Sequence, residues 1–103
     1  MAWKIFRISG SSMYPTVNDG DFIIAKNYKT TPTQGSVAVI LHPSLGVLIK
    51  RITSTSKPQT FVTRGDNNIS LDSSTVGLVS DKEIKYQAIW RISPKGMSKL
   101  RVC

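Results

Sequence analysis

The sequence predicts a mainly β fold: a single domain of coiled antiparallel sheets with a small barrel. Three observations carry that prediction. Helical hydrophobic periodicity is nearly absent along the chain. Apolar and β-branched runs of roughly four to eight residues recur instead. Each gap between those runs holds Gly, Pro, Asn or Asp, the residues that supply turn geometry. The 103 residues suit one domain, spanning 1–103.

The elements follow in order. A first strand is expected at residues 3–8. A Gly-Ser turn follows, with a serine cap at Ser11 or Ser12 and Pro15 suited to a first helical turn. Asn18-Asp19-Gly20-Asp21 then leads into a strand at 22–26. Thr31-Pro32-Thr33-Gln34-Gly35 precedes a strand at 36–41, and His42-Pro43-Ser44-Leu45-Gly46 one at 47–53. Ser56-Lys57-Pro58 opens onto residues 60–64. Gly65-Asp66-Asn67-Asn68 ends that run, a short turn fits Ser80-Asp81-Lys82-Glu83, and a last strand is expected at 84–92. The chain shows no repeat, linker or low-complexity tract.

Composition excludes several functions. The 40% hydrophobic content is that of a globular chain, not a disordered one. Cys103 is the single cysteine and His42 the single histidine, so no disulfide forms within the chain and a metal cluster lacks ligands. Neither a metal nor a cofactor is expected. Fourteen basic residues against six acidic ones give a net charge of +8. Such a surplus favours polyanions, either nucleic acid or the headgroups of an anionic membrane. The basic residues are spread from Lys4 to Arg101, however, and a solvated basic surface accounts for them more simply than a specific nucleic-acid site. No run approaches the roughly 18 apolar residues of a membrane span. The N-terminus is too short and too charged for a secretory signal. A cytoplasmic protein, or one peripheral at a membrane, is expected, and Met1 leans against a removed anchor.

Three stretches are candidates for chemistry. A serine becomes a nucleophile only when a neighbour takes its proton. His42 sits at a strand end before Pro43 and is poorly placed for that task. Val47-Leu48-Ile49-Lys50-Arg51-Ile52 is an apolar strand with charge in its middle. Alternation puts Lys50 with Leu48 and Ile52, and Arg51 with Val47 and Ile49. Both faces are partly apolar, so the pattern leaves open which cation points inward. Arginine stays charged and cannot serve as a base. Lysine can, once desolvation lowers its pKa. Taken singly, the serine-rich turn, this lysine and the Gly65-Asp66-Asn67 loop each also fit an ordinary reading: a capped turn, a snorkelling side chain and an Asx-rich hairpin loop.

In this order, Ser12-Met13-Tyr14-Pro15-Thr16, Lys50-Arg51 and Gly65-Asp66-Asn67 followed by Ser70-Leu71-Asp72-Ser73 resemble the boxes of the signal peptidase I family of Ser/Lys proteases. That family shares its catalytic core with the self-cleaving SOS repressors. The resemblance covers roughly residues 10–94. It implies that Ser12 is the nucleophile and Lys50 its general base. It implies supporting roles for Ser70, which would orient the lysine, and for Asp66, Asp72 and Arg51 through charge pairing. Backbone N–H groups of Ser12 and Gly10 would form the oxyanion site, because Gly10 stands where some members carry an assisting serine. Met13 and Pro15 would lie against the substrate. Ser74 replaces the arginine that usually follows the Asp-Ser pair, which removes the usual partner of Asp72.

The resemblance further implies a polypeptide substrate, bound as an extended strand and cut after small residues, with no cofactor. A leader or signal-like peptide fits. Among family branches, the short maturation proteases of nickel superoxide dismutase match this length best. No helix-turn-helix is present for a DNA-binding repressor. Two other readings stay open. One is a small basic β-barrel that binds nucleic acid through aromatics such as Trp3, Phe22 and Trp90. The other is an inactive peptidase-like interaction domain. Nothing in the sequence indicates the oligomeric state.

Overall fold

The computed structural model describes residues 2–28, 31–67 and 76–102. Their strands are β1 (Trp3–Arg7), β2 (Phe22–Asn27), β3 (Val37–His42), β4 (Gly46–Ser54), β5 (Thr60–Arg64), β6 (Val79–Ser80), β7 (Ile84–Ser93) and β8 (Gly96–Lys99). All pairings are antiparallel. The strands join into one sheet in the order β1-β2-β7-β3-β4-β5-β6, with β8 added to β7. The fold is thus mainly β and antiparallel, as the turn spacing predicts. No helix among the described residues is long and apolar enough to cross a membrane.

β7 organises the sheet. One of its edges pairs with β2 along most of its length. Its other edge is divided: residues 84–87 pair with β3 and residues 90–93 with β8. Register shifts at Ile24/Ala25 and Val39/Ile40 mark bulges, which bend and coil the strands. The coiling brings β1 and the first half of β4 to face each other across a cleft.

β3 is buried on both sides, which explains its uninterrupted apolar run. Val37 and Val39 join a core cluster with Ile8, Met13, Val17, Ile23, Ala25 and Ala88. Ala38 and Ile40 join a second cluster with Ile52, Phe61, Val76, Val79 and Ile84. The strand is therefore the wall between two cores. Several aromatics serve packing. The Phe6 and Tyr86 rings stand 5.6 Å apart, and the Tyr28 hydroxyl bonds Ser36 at 2.7 Å.

The outer face of β1, β2, β7 and β8 is apolar. Cross-strand partners share a face, so the register aligns Ile5, Ile24 and Trp90 in one row and Phe22, Ile92 and Met97 in the next. Ile5 and Met97 are more than half exposed, at 64% and 60%.

Two strands were not expected. β6 is two residues long, too short to carry alternation. β8 reads Gly-Met-Ser-Lys, without β-branched residues, and is exposed throughout. Its signal lay in the turn: Pro94-Lys95 links paired Ser93 and Gly96, and Gly96 has a φ of +119°. The helical turn expected near Ser12 is a succession of tight turns, with one helical-type bond from Val17 N–H to Met13 O at 3.2 Å.

Ile52 is fully buried in the second cluster. Ile52→Ala should cost about 3–4 kcal/mol, read as a lower denaturant midpoint. Leu78→Ala, at an exposed site, should stay within about 0.5 kcal/mol.

Candidate active site

Burial in the fold answers the question left open at Lys50-Arg51. Lys50 points inward and is 3% exposed. Its cross-strand partner is Ala38, whose small side chain leaves room for the lysine stem. Arg51 points the other way and reaches Asp66. Its Nε donates to Oδ1 at 2.9 Å and its Nη2 to Oδ2 at 2.7 Å. Arg51 Nη1 also donates to the carbonyls of Gly35 and Arg101, at 2.8 and 2.9 Å. Neither of the two ion pairs among the described residues involves Lys50.

Burial pushes the Lys50 amine below the ordinary lysine value. No carboxylate among the described residues pairs with it, and burial favours the neutral amine more than in free lysine. For Asp66, burial alone would raise the carboxyl. Hydrogen bonds from Arg51 and Thr16, with the charges of Arg51 and Arg64, outweigh burial and hold it below its ordinary value.

Ser12 and Lys50 line the same cleft, of about 350 Å³. β1 supplies Phe6 and Arg7 to one wall, and Val47, Leu48 and Ile49 of β4 form the other. Both walls end in strand edges. β1 pairs only with β2, and β5 takes only residues 51–54 of β4. Residues 46–50 thus have one edge without a strand partner among the described residues.

The serine turn is tied down from outside. Asn67 N–H donates to Ser12 O at 3.0 Å, and Asn67 Nδ2 donates to Ser11 O at 2.8 Å. The Thr16 hydroxyl donates to Asp66 Oδ2, which links the turn to Arg51 and so to the strand that carries Lys50. The Ser12 N–H has no hydrogen-bond partner among the described residues. The Gly10 N–H, by contrast, donates to Asp19 Oδ1 at 2.7 Å. That bond removes it from the oxyanion role expected for it.

The remaining expected site residues divide. Met13 lines the cleft but is 2% exposed and belongs to the first core cluster. Its sulfur accepts from Asp66 N–H at 3.4 Å. Pro15 is exposed and lines a different cleft, beside Arg91 and Ser93. It does not share the walls around Ser12. Ser70 and Asp72, with Ser74, lie outside the described residues. His42 is engaged at both ring nitrogens. Nδ1 accepts from Ser44 N–H at 3.1 Å and Leu45 N–H at 3.0 Å, so Nε2 is the donor to Val76 O at 2.9 Å. It has no ring nitrogen left for a serine.

A model of the Peptidase S24-like family matches residues 2–88. The chain belongs to the Peptidase S24-like family. Comparison with curated proteins gives no match. Membership places this S24-like protein among peptidases and their relatives, with a peptidase-type or related function. The matched span contains β1 through the first half of β7, and with them Ser12, Lys50 and Asp66.

Sequence reasoning gave no role to Thr16, Asp19 or Asn67, though Thr16 and Asn67 lie inside the boxes it singled out and Asp19 in the turn before β2. Their signal was their residue type, since short polar side chains in turns bond neighbouring backbone.

Two pH windows follow. Asp66 is lowered in the fold, so its contribution to stability is full above the ordinary aspartate value. That contribution is lost as pH falls below about 4 and through the folded value. Lys50 is also lowered, so the unfolded chain binds its proton more readily. Stability therefore rises with pH between the folded value and the ordinary one, near 10. Asp66→Asn should cost about 1–3 kcal/mol at neutral pH and flatten the acid limb in denaturant titrations. Lys50→Met should instead gain about 1 kcal/mol at neutral pH and flatten the alkaline limb.

Proposed function

We propose that this protein is a serine endopeptidase that uses Ser12 as nucleophile and the neutral Lys50 amine as general base. The observation that carries the reading is a buried lysine, without an ion-pair partner among the described residues, in the wall of the cleft that Ser12 also lines. The Lys50 lone pair takes the hydroxyl proton of Ser12 as Oγ attacks a peptide carbonyl. The Ser12 N–H is the backbone donor available to the oxyanion, and one well-aimed donor is worth roughly 3–4 kcal/mol. Collapse of the intermediate breaks the C–N bond, and the Lys50 ammonium returns its proton to the departing amine. Water, deprotonated by the same amine, then releases the acyl group from Ser12.

The two unpaired edges support a polypeptide bound as an added strand. The signal peptidase resemblance supports cleavage after small residues, in a leader or signal-like peptide. Within that reading, a short maturation protease acting on one partner protein is the preferred branch. The apolar outer face, with Arg7, Lys26 and Lys99 in its rows, supports peripheral contact with an anionic membrane.

Purified protein offered a mixed peptide library, with products read by mass spectrometry, tests the reading. Ser12→Ala, Lys50→Met and Lys50→Arg should each lower cleavage by about a thousandfold or more. The wild-type rate should rise with pH through the lowered value of Lys50. Full-rate cleavage by Ser12→Ala, or a Lys50 amine that titrates like free lysine, would overturn it.

A further inference from the structure

A second cleft, of about 510 Å³, lies where β4 and β5 meet the residues that end β8. Arg51, Arg64, Lys99 and Arg101 line it, with Asp66 as the one carboxylate among the described residues. Arg51 and Arg64 are directly opposite each other in the β4–β5 register. Like charges so placed oppose folding. The single carboxylate does not balance the group, because Asp66 is already held by two bonds from Arg51 and one from Thr16. Arg64, Lys99 and Arg101 have no carboxylate partner among the described residues.

Arg7, Lys57, Lys82, Lys85 and Lys95 also lack an ion-pair partner among the described residues, but they do not line this cleft. Elsewhere on the described surface, several cations are matched. Arg91 pairs with Asp21 at 2.8 Å, and the Lys4 and Lys26 amines lie 5.8 and 5.3 Å from the Tyr86 and Trp3 rings. The backbone bearing the unmatched cations is also anchored. Leu100 N–H donates to Ile89 O at 2.8 Å, and Arg101 O accepts from Arg51. An anchored backbone leaves only the side chains to be ordered when a ligand binds.

We propose that this cleft binds a phosphate group through Arg64, Lys99 and Arg101. Guanidinium forks match phosphate oxygens in pairs, and lysine adds a point charge. A phosphate dianion suits three cations better than a single carboxylate does. The cleft is larger than a bare phosphate needs and includes half-buried Leu100, so a phosphate ester with an organic body fits. That phosphate comes either from a free ester or from a lipid headgroup.

Sodium phosphate and sodium chloride at matched ionic strength provide the test, with thermal unfolding as the readout. Phosphate near its Kd should raise the unfolding midpoint by about 2–3 °C over chloride. Arg64→Gln and Arg101→Gln should each weaken phosphate binding about tenfold or more, while Lys57→Gln and Lys82→Gln leave it unchanged. Neither Ser12 nor Lys50 takes part, so Ser12→Ala protein should respond as wild type does, whatever its cleavage activity. Sedimentation with phosphatidylcholine vesicles, with and without phosphatidic acid, separates the sources. Phosphatidic-acid binding lost in Arg64→Gln assigns a headgroup, and a phosphate response without vesicle binding assigns a free ester. Equal midpoints in phosphate and chloride, or an unchanged response in both arginine variants, would overturn the proposal.

Discussion

Two adjacent cations on one strand meet opposite fates, and the site depends on that contrast. Alternation sends Lys50 toward the second core and Arg51 toward a carboxylate. An arginine keeps its charge in any surroundings, so its burial needs a matched anion, which Asp66 supplies in two parallel bonds. A lysine has another escape: it can lose its proton. Lys50 meets low dielectric without an ion-pair partner among the described residues, and its amine is lowered accordingly. A carboxylate placed beside it would have restored the charge and abolished its basicity. The fold thus gives up some stability at Lys50, because the amine must shed its proton to sit there.

The same contrast fixes the serine. Arg51 holds Asp66, Asp66 holds the Thr16 hydroxyl, and the next residue, Asn67, holds the carbonyls of Ser11 and Ser12. A single connected set of polar contacts therefore joins the turn after β1 to the strand bearing Lys50. Met13 adds an apolar pin from inside the turn, in the first core. The backbone around Ser12 is thus held from outside by Asn67 and from inside by Met13.

Much of this was legible in the sequence, for reasons that differ by element. The strands from β1 to β5 and β7 announce themselves because turn residues interrupt apolar runs. β8 does not, because its pairing is imposed by the Pro94-Lys95 turn and not by its own side chains. The direction of Lys50 was not legible. β3 and β4 separate two cores, so both faces of β4 are partly apolar and alternation carries no inside or outside label. The role of Gly10 was not legible either, since a competing acceptor, Asp19, comes from the next loop. The pairing of Arg51 with Asp66 was expected only through the family resemblance, since residue type and order do not say which carboxylate a strand arginine meets.

Exposed strand edges are usually blunted by charge, proline or a covering loop, because they invite pairing with other chains. Here β1 and residues 46–50 of β4 leave edges facing one another over a cleft, and β4 contributes exposed Val47 to it. An added strand would satisfy both edges at once through backbone bonds, which are blind to sequence. Selectivity must then come from the side chains that such a strand inserts between the walls. Phe6, Ile8, Met13 and Leu48 make those walls largely apolar. Met13 and Ile8 are already packed in the first core, so they cannot retreat to admit a bulky group. A strand added there would meet walls that already belong to the core, and those walls cannot widen without disturbing the packing that holds the serine turn.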